Sequence, residues 1–476
     1  MIKKPSLVLC VMVMSGILIS GCSRNYMAER EFYKAEKIFK GISEDEVKTT
    51  GPSAFDPAIE AFEKVANKYP TTPKALESLF TISNLCVKQE KYAEAREALR
   101  KVVINFSGNS SKVAEARFQM ARIFEKENQW GQAESVLWET AEYHPTEARG
   151  LESPIYVIRH YLQMKYPDAA RRAYEQAVEY YEKVIERLGP IEGSIPVRNY
   201  MAVAHSTMGD WKAAREEWLS TWNDFQGKPG AFLSLIAAAE ASQMNGQETL
   251  ALSLYNRFID RSTEDFFMKG QVYVRVGLIY HHKGAFGEAR KHYEASLKYF
   301  KDSKAQTSDV KLLIARTHQS EGNWDAARSI YDEIESDNPR TAAALQVPLM
   351  KANYFESQGD AEQARKIRDE TVKQYQEIAL RNPNTPVEKL VMRLIHDVNY
   401  QQTDWQSTLQ QLDKAMSDAS TTEKKGELLL MKALIADKQL KDKALALNLY
   451  NDFLSSYSDH TLVQTAKHYR DLLAKS

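Results

Sequence analysis

The sequence predicts an all-α chain, an α-solenoid of about eleven helical hairpins, and three observations carry that prediction. First, eleven times a small residue is followed four positions later by an aromatic residue or a leucine. The small residues are Ala58, Ala95, Ala133, Ala177, Ala214, Ala251, Ala289, Ala327, Thr371, Thr408 and Ala446, and the large ones are Phe62, Leu99, Leu137, Tyr181, Trp218, Tyr255, Tyr293, Tyr331, Tyr375, Leu412 and Tyr450. Second, the small residues follow one another at intervals of 37, 38, 44, 37, 37, 38, 38, 44, 37 and 38. Third, this regularity fills nearly the whole chain and leaves no stretch for a separate catalytic domain. Such an array points to a binding scaffold and names no partner.

The amino terminus comes first in order. Lys3 and Lys4 precede an apolar run from Leu7 to Ile19, which ends in Ile19, Ser20, Gly21 and Cys22. A run of 13 residues is too short to cross a hydrocarbon layer of ~30 Å as a helix, so it reads as an export signal over residues 1–21. Small residues directly before a cysteine resemble the lipobox of bacterial lipoproteins. That resemblance implies cleavage between Gly21 and Cys22, lipidation of the Cys22 thiol and acylation of the new amino group, with palmitate-like chains as the membrane anchor. Two or three such chains bind a membrane far more firmly than one, which alone is marginal. Ser23 follows the cysteine where an inner-membrane retention signal would carry aspartate, so the analogy implies an outer-membrane protein facing the periplasm. Residues 22–27 then read as the lipidated cysteine and a short tether.

Composition fits a large helical body behind that anchor. Without Lys3 and Lys4, 61 basic residues stand against 64 acidic ones, a net charge of −3. A near-neutral balance argues against nucleic acid as a partner, because phosphate binding needs a concentrated basic face. Cys10 leaves with the signal and Cys22 takes the lipid, so Cys86 remains as a lone thiol and no internal disulfide framework can form. Stability must come from packing between hairpins.

Residues 28–460 read as the solenoid. Its first hairpin is irregular, with a polar stretch from Ser43 to Ser53 between its helices. The clearest unit runs from Gln271 to Leu297: Tyr273, Val276, Gly277 and Tyr280 form one stripe at helical spacing, and Ala289 and Tyr293 another, separated by a turn at Lys283 and Gly284. The small first-helix position recurs as Ser83, Ala121, Ala202, Ala239, Ala315 and Ala352. Three residues before the small position of the second helix, Tyr92, Trp130, Trp211, Phe286, Trp324 and Trp405 repeat as an aromatic wedge and read as core. Pro70, Pro145, Pro339 and Pro383 fall twelve residues after the small position and should stop the second helix.

Large, small and aromatic residues in this order resemble the tetratricopeptide repeat, from which the unit departs at Ser296 and Lys301. The resemblance implies a right-handed α-solenoid of about eleven tetratricopeptide-like hairpins. More specifically, the region from Tyr26 to Phe106, with the lipobox and the segment FDPAIEAFEKVANKYPTTPKALESLF, is similar to outer-membrane lipoproteins of the barrel-assembly and cell-division coordinator kind. This chain has about twice as many hairpins as barrel-assembly lipoproteins usually have.

Two intervals of 44 exceed 37 by seven residues, about two helical turns. The hairpins containing Tyr181 and Tyr375 should therefore have elongated helices, which read either as a locally thicker solenoid or as docking ledges. Residues 461–476 read as a polar helix capping the last apolar face.

The same resemblance implies a concave groove lined by first-helix positions. One row is Phe80, Phe118, Asn199, Ile236, Val274, Leu312 and Leu349; four residues on lies a more polar row that includes Arg122 and Arg316. An apolar row beside a polar one suits a protein or peptide partner, bound as an amphipathic helix or an extended strand. The alternative is that tight winding buries the apolar row. No catalytic residues and no cofactor are expected. The sequence has no HExxH, CxxC or phosphate-cradling glycine loop. His281, His282 and His292 lack a carboxylate or cysteine spaced to complete a metal site. Three functions remain: a lipid-anchored scaffold assisting assembly or operation of an outer-membrane complex, a scaffold for envelope polysaccharide export or cell-wall remodelling, and, remotely, a cell-wall-active enzyme.

Overall fold

The computed structural model describes residues 7–43, 49–263, 268–383, 385–401, 405–419 and 421–475; the side chains of residues 7–23, 401 and 475 lie outside the description. Among the described residues every regular element is a helix. Two compact units divide the chain, Met1–Ile279 and Tyr280–Ser476.

The first unit holds α1 (Leu7–Gly41), α2 (Asp56–Lys68), α3 (Pro73–Lys88), α4 (Tyr92–Asn105), α5 (Ser110–Lys126) and α6 (Trp130–Tyr143). It continues with α7 (Ala148–Gln163), α8 (Pro167–Leu188), α9 (Ile195–Thr207), α10 (Trp211–Asp224), α11 (Pro229–Met244) and α12 (Glu248–Arg261). The division falls inside α13 (Lys269–His282). The second unit holds α14 (Phe286–Phe300), α15 (Lys304–Ser320), α16 (Trp324–Asp337), α17 (Ala342–Ser357) and α18 (Ala361–Arg381), followed by α19 (Pro386–Gln401), α20 (Trp405–Asp418), α21 (Thr422–Lys438), α22 (Lys443–Ser456) and α23 (Val463–Lys475). The fold is an all-α, helix-only solenoid of about eleven hairpins, closed by α23.

Local chemistry explains where helices begin and end. Asp210, Asn323, Asp360 and Asp442 each accept a hydrogen bond from the backbone N–H three residues on, satisfying one of the amides that a helix start leaves free. The turn before each such cap needs a left-handed residue. Gly209 supplies it at φ 82°, and Lys165 adopts the same region at φ 60° in the turn before α8. Pro70, Pro145, Pro339 and Pro383 each lie two residues beyond a second helix, as the spacing predicts.

The small and large rows form the core. Nine of the eleven small residues are fully buried alanines, and Thr371 is 2 % exposed. Phe62, Leu99, Leu137, Tyr181, Tyr255, Tyr293, Tyr331, Tyr375 and Tyr450 lie under them, all buried. The last irregular pair differs: Thr408 and Leu412 are only half-buried, and Leu409 takes the core position of α20. The aromatic wedge also differs from expectation. Each of its six residues is the first residue of a second helix and is half-buried. Trp130 stacks on His160 with ring centroids 3.3 Å apart, and Trp324 on Tyr354 at 3.6 Å. Each partner lies on the next hairpin, so at these two positions the wedge joins hairpins; Phe286 and Trp405 instead meet His281 and Tyr400 of their own hairpin.

The elongated helices are α8, with 22 residues, and α18, with 21. Within α8 the small-then-aromatic pair occurs twice, at Ala170 and Tyr174 and again at Ala177 and Tyr181. Seven residues bring a helix back to nearly the same face, so both alanines are buried. Five residues in and around this hairpin recur 194 positions on, Trp130 with Trp324, Leu151 with Leu345, Pro154 with Pro348, Tyr181 with Tyr375 and Trp211 with Trp405, while Arg368 stands where Tyr174 would recur. Each unit is therefore built on one half of an internal duplication.

Candidate partner-binding surface

First helices carry the residues expected to line a groove. Phe118, on α5, is 3 % exposed: the Tyr156 ring meets it edge-on at 5.3 Å, and the Arg149 guanidinium covers its face at 4.8 Å. Both come from α7. Ile236 is 4 % exposed, and Leu312 lies in a cluster with Ala315, Tyr331 and Val347. Expected to line a groove, these three positions instead pack inside the array: residues of the next first helix cover Phe118, and Leu312 clusters with Val347 of α17. Phe80, Asn199, Val274 and Leu349 are half-buried. Asn199 accepts a hydrogen bond from the Ser234 hydroxyl at 2.6 Å, which ties α9 to α11.

The row one turn further on remains at the surface. Asn84, Arg122, Arg316 and Asn353 are exposed, and Val203, Glu240 and Leu278 half-buried. Glu240 pairs with Arg275, and Asn353 accepts from Arg368 at 2.8 Å. Arg122 and Arg316 hold equivalent places in the duplication, one in each unit. Beside Arg122 lies a group that periodicity did not single out: Glu125 accepts from the Tyr156 hydroxyl at 2.5 Å and lies 2.6 Å from His160 Nδ1. Burial and the neighbouring Glu125 carboxylate push the Tyr156 phenol up to about 12, so it stays a donor. Only Glu125, three residues after Arg122 on the same helix, could have been suspected from spacing.

Where α8 extends past α6, a cleft of about 460 Å³ opens between Trp138 and Glu142 on one side and Glu179, Tyr180, Lys183 and Arg187 on the other. The Trp138 and Tyr180 rings meet edge-on at 6.5 Å, and the Tyr180 hydroxyl donates to the Ala141 carbonyl at 2.6 Å. In the other half of the duplication Asp332 and Gln374 replace this aromatic pair. The aromatic wall thus belongs to one half of the duplication, whereas the elongation belongs to both.

The Gly21 and Cys22 side chains lie outside the described residues, as do residues 44–48 of the first interhelical stretch. The Tyr280 and His292 rings stack at 5.4 Å, and burial holds His281 and His292 below the usual histidine range. Among the described residues no group of three His, Cys, Asp or Glu side chains is placed to hold a metal ion. None of the described helices is long and apolar enough to cross a membrane.

Comparison with known proteins places the repeat type. The tetratricopeptide repeat profile matches residues 76–103 and 270–303, that is α3 with most of α4, and α13 with α14. No curated protein matches the chain significantly. Among solved structures, the chain is similar to a tetratricopeptide repeat protein from Parabacteroides merdae, at 14 % identity and TM-score 0.31, covering 60 % of this chain and 99 % of that one. It is also similar to the C-terminal part of a repeat-containing protein from Cytophaga hutchinsonii, at 13 % identity and TM-score 0.33 over 66 % of this chain and 98 % of that one. Yeast Tom70 aligns at 12 % identity and TM-score 0.38 over 95 % and 96 % of the two chains.

Proposed function

We propose that this protein is a lipid-anchored periplasmic scaffold of tetratricopeptide type that holds protein partners and assists assembly or operation of an outer-membrane complex. The observation that carries the binding role is that Arg122 and Arg316 stay exposed on first helices whose neighbouring apolar positions Phe118 and Leu312 are used for packing. Exposed Arg122 in the first unit and exposed Arg316 in the second would each orient a bound segment through a charged contact. The cleft beside Trp138 and Tyr180 favours a docking role for the elongated α8 hairpin. Anchoring rests on the run Leu7–Ile19 and the Ser20–Gly21–Cys22 sequence. A scaffold for polysaccharide export or cell-wall remodelling would use the same surfaces.

The experiment is in-cell photocrosslinking from position 122 or 316, followed by capture and mass spectrometry. Outer-membrane barrels or their assembly factors are expected, and Arg122→Glu with Arg316→Glu should abolish their recovery while helicity and melting stay unchanged. Recovery of polysaccharide-export or cell-wall enzymes instead would favour the second role, and absence of any crosslinked protein would sink the scaffold reading.

A further inference from the structure

Helix α1 presents two opposite faces. Ala28 and Ala35 are fully buried, and Phe32 and Phe39 pack beside them against α2 and its neighbours. At about 100° per residue, Tyr26, Arg30, Tyr33 and Lys37 fall on a single stripe on the other side of the helix. All four are exposed, and each tyrosine leaves 66 % of its surface uncovered. Neighbouring charges are neutralised locally, Lys34 by Glu31 at 2.9 Å and Lys40 by Glu36 at 3.0 Å. Arg30 and Lys37 make no ion pair among the described residues.

We infer that this stripe lies against an anionic phospholipid surface. Tyrosine is suited to a bilayer interface because its ring is apolar and its hydroxyl wet, and unpaired cations near an anionic surface gain about 1 kcal/mol each. The occupant is set by charge and by position. Tyr26 follows Cys22 by four residues, about 6 Å along a helix, so a lipid carried on Cys22 would hold the stripe at the membrane surface. The stripe would hold α1 along the membrane and fix which way the first hairpins face. This inference rests on the anchoring reading proposed above.

The test uses the full, natively processed chain in vesicles of phosphatidylcholine with or without phosphatidylglycerol, carrying a headgroup-linked quencher. A fluorophore is attached through Glu29→Cys, beside the stripe, or through Tyr166→Cys in the turn before α8; the buried Cys86 stays unlabelled. Quenching at position 29 on anionic vesicles, with none at 166, is expected. Arg30→Glu with Lys37→Glu should shift the docked population by at least about 30-fold toward release, the loss that two cations at the magnitude given above imply before the added repulsion, and Tyr26→Ser with Tyr33→Ser should weaken it as well. About 1 M salt, where the Debye length is ~3 Å, should act like the charge reversal. Quenching that is absent, or equal in the variants and on neutral vesicles, would overturn the stripe while leaving the anchor intact. A chain that does not stay with vesicles at all would overturn the anchor and the stripe together. Loss of a crosslinked protein in the stripe variants with unchanged quenching would reassign the face to a protein partner.

Discussion

The Tyr181 hydroxyl donates a 2.6 Å hydrogen bond to the backbone carbonyl of Leu151, three residues before the proline inside α7. Pro154 has no N–H to give to the Gly150 carbonyl, the neighbour of Leu151 in that turn. The fully buried tyrosine thus ties α8 to the turn of α7 in which the proline removes a helical hydrogen bond. The duplication repeats the arrangement: Tyr375 donates to the Leu345 carbonyl, three residues before Pro348 in α17.

Tyr181→Phe removes this buried hydrogen bond. It is expected to cost about 0.5–1.5 kcal/mol, read as a lower urea midpoint by circular dichroism. Tyr255 is equally buried, but its hydroxyl has no hydrogen-bond partner among the described residues. Tyr255→Phe should therefore change the midpoint little. Equal losses in both variants would mean that the hydrogen bond to Leu151 is not what the Tyr181 hydroxyl contributes.

Trp130 and His160 join two hairpins through stacked rings, so their contributions should be coupled. A double-mutant cycle with Trp130→Ala and His160→Ala should return an interaction of about 0.5–1.5 kcal/mol. Strict additivity would show that the stack is contact without energy.

Two glycines give opposite signs. A Cβ on Gly150, at the start of α7, would run into the His144 backbone carbonyl, so Gly150→Ala should destabilise by about 1–3 kcal/mol. Gly131, in the first turn of α6, has open space around the corresponding position. Gly131→Ala should be stabilising by up to about 1 kcal/mol through helix propensity. Thermal melts of the two variants check both signs.

Acid should weaken the fold before carboxylates titrate. Burial holds His144, His205, His281, His292 and His318 below their usual value of 6.5. The unfolded chain then binds more protons than the folded one just below that value, so this stability is complete above about pH 6.5 and is lost as pH falls. Melting temperature should decline from pH 7 to pH 5, and His205→Gln should flatten part of the decline. A melting temperature that rises on acidification would contradict the assignment.

The one thiol expected to remain free should be inert. Burial pushes the Cys86 thiol up to about 11, and it is 3 % exposed. Maleimide should label it in urea and not in the native protein; rapid native labelling would show that α3 and α4 open there.

Much of this architecture was written in residue spacing. The alanine and tyrosine rows, the prolines two residues past second helices, and the two seven-residue extensions all follow from helical periodicity, which depends on local geometry alone. Spacing misled where a residue's environment comes from a different hairpin. Phe118, Ile236 and Leu312 have the same apolar character whether they face a partner or the next first helix, and the distance between hairpins decided that they pack. For the same reason the wedge residues Trp130 and Trp324 were legible as aromatic positions, while their stacking partners His160 and Tyr354 were not. Sequence by itself thus determined which segments are helical and which residues form the hairpin cores, except in the hairpin of Thr408 and Leu412, where Leu409 takes the core position. Only the tertiary structure decided which first-helix row stays open, because burial there is set by contacts between residues some thirty positions apart, which no local period encodes.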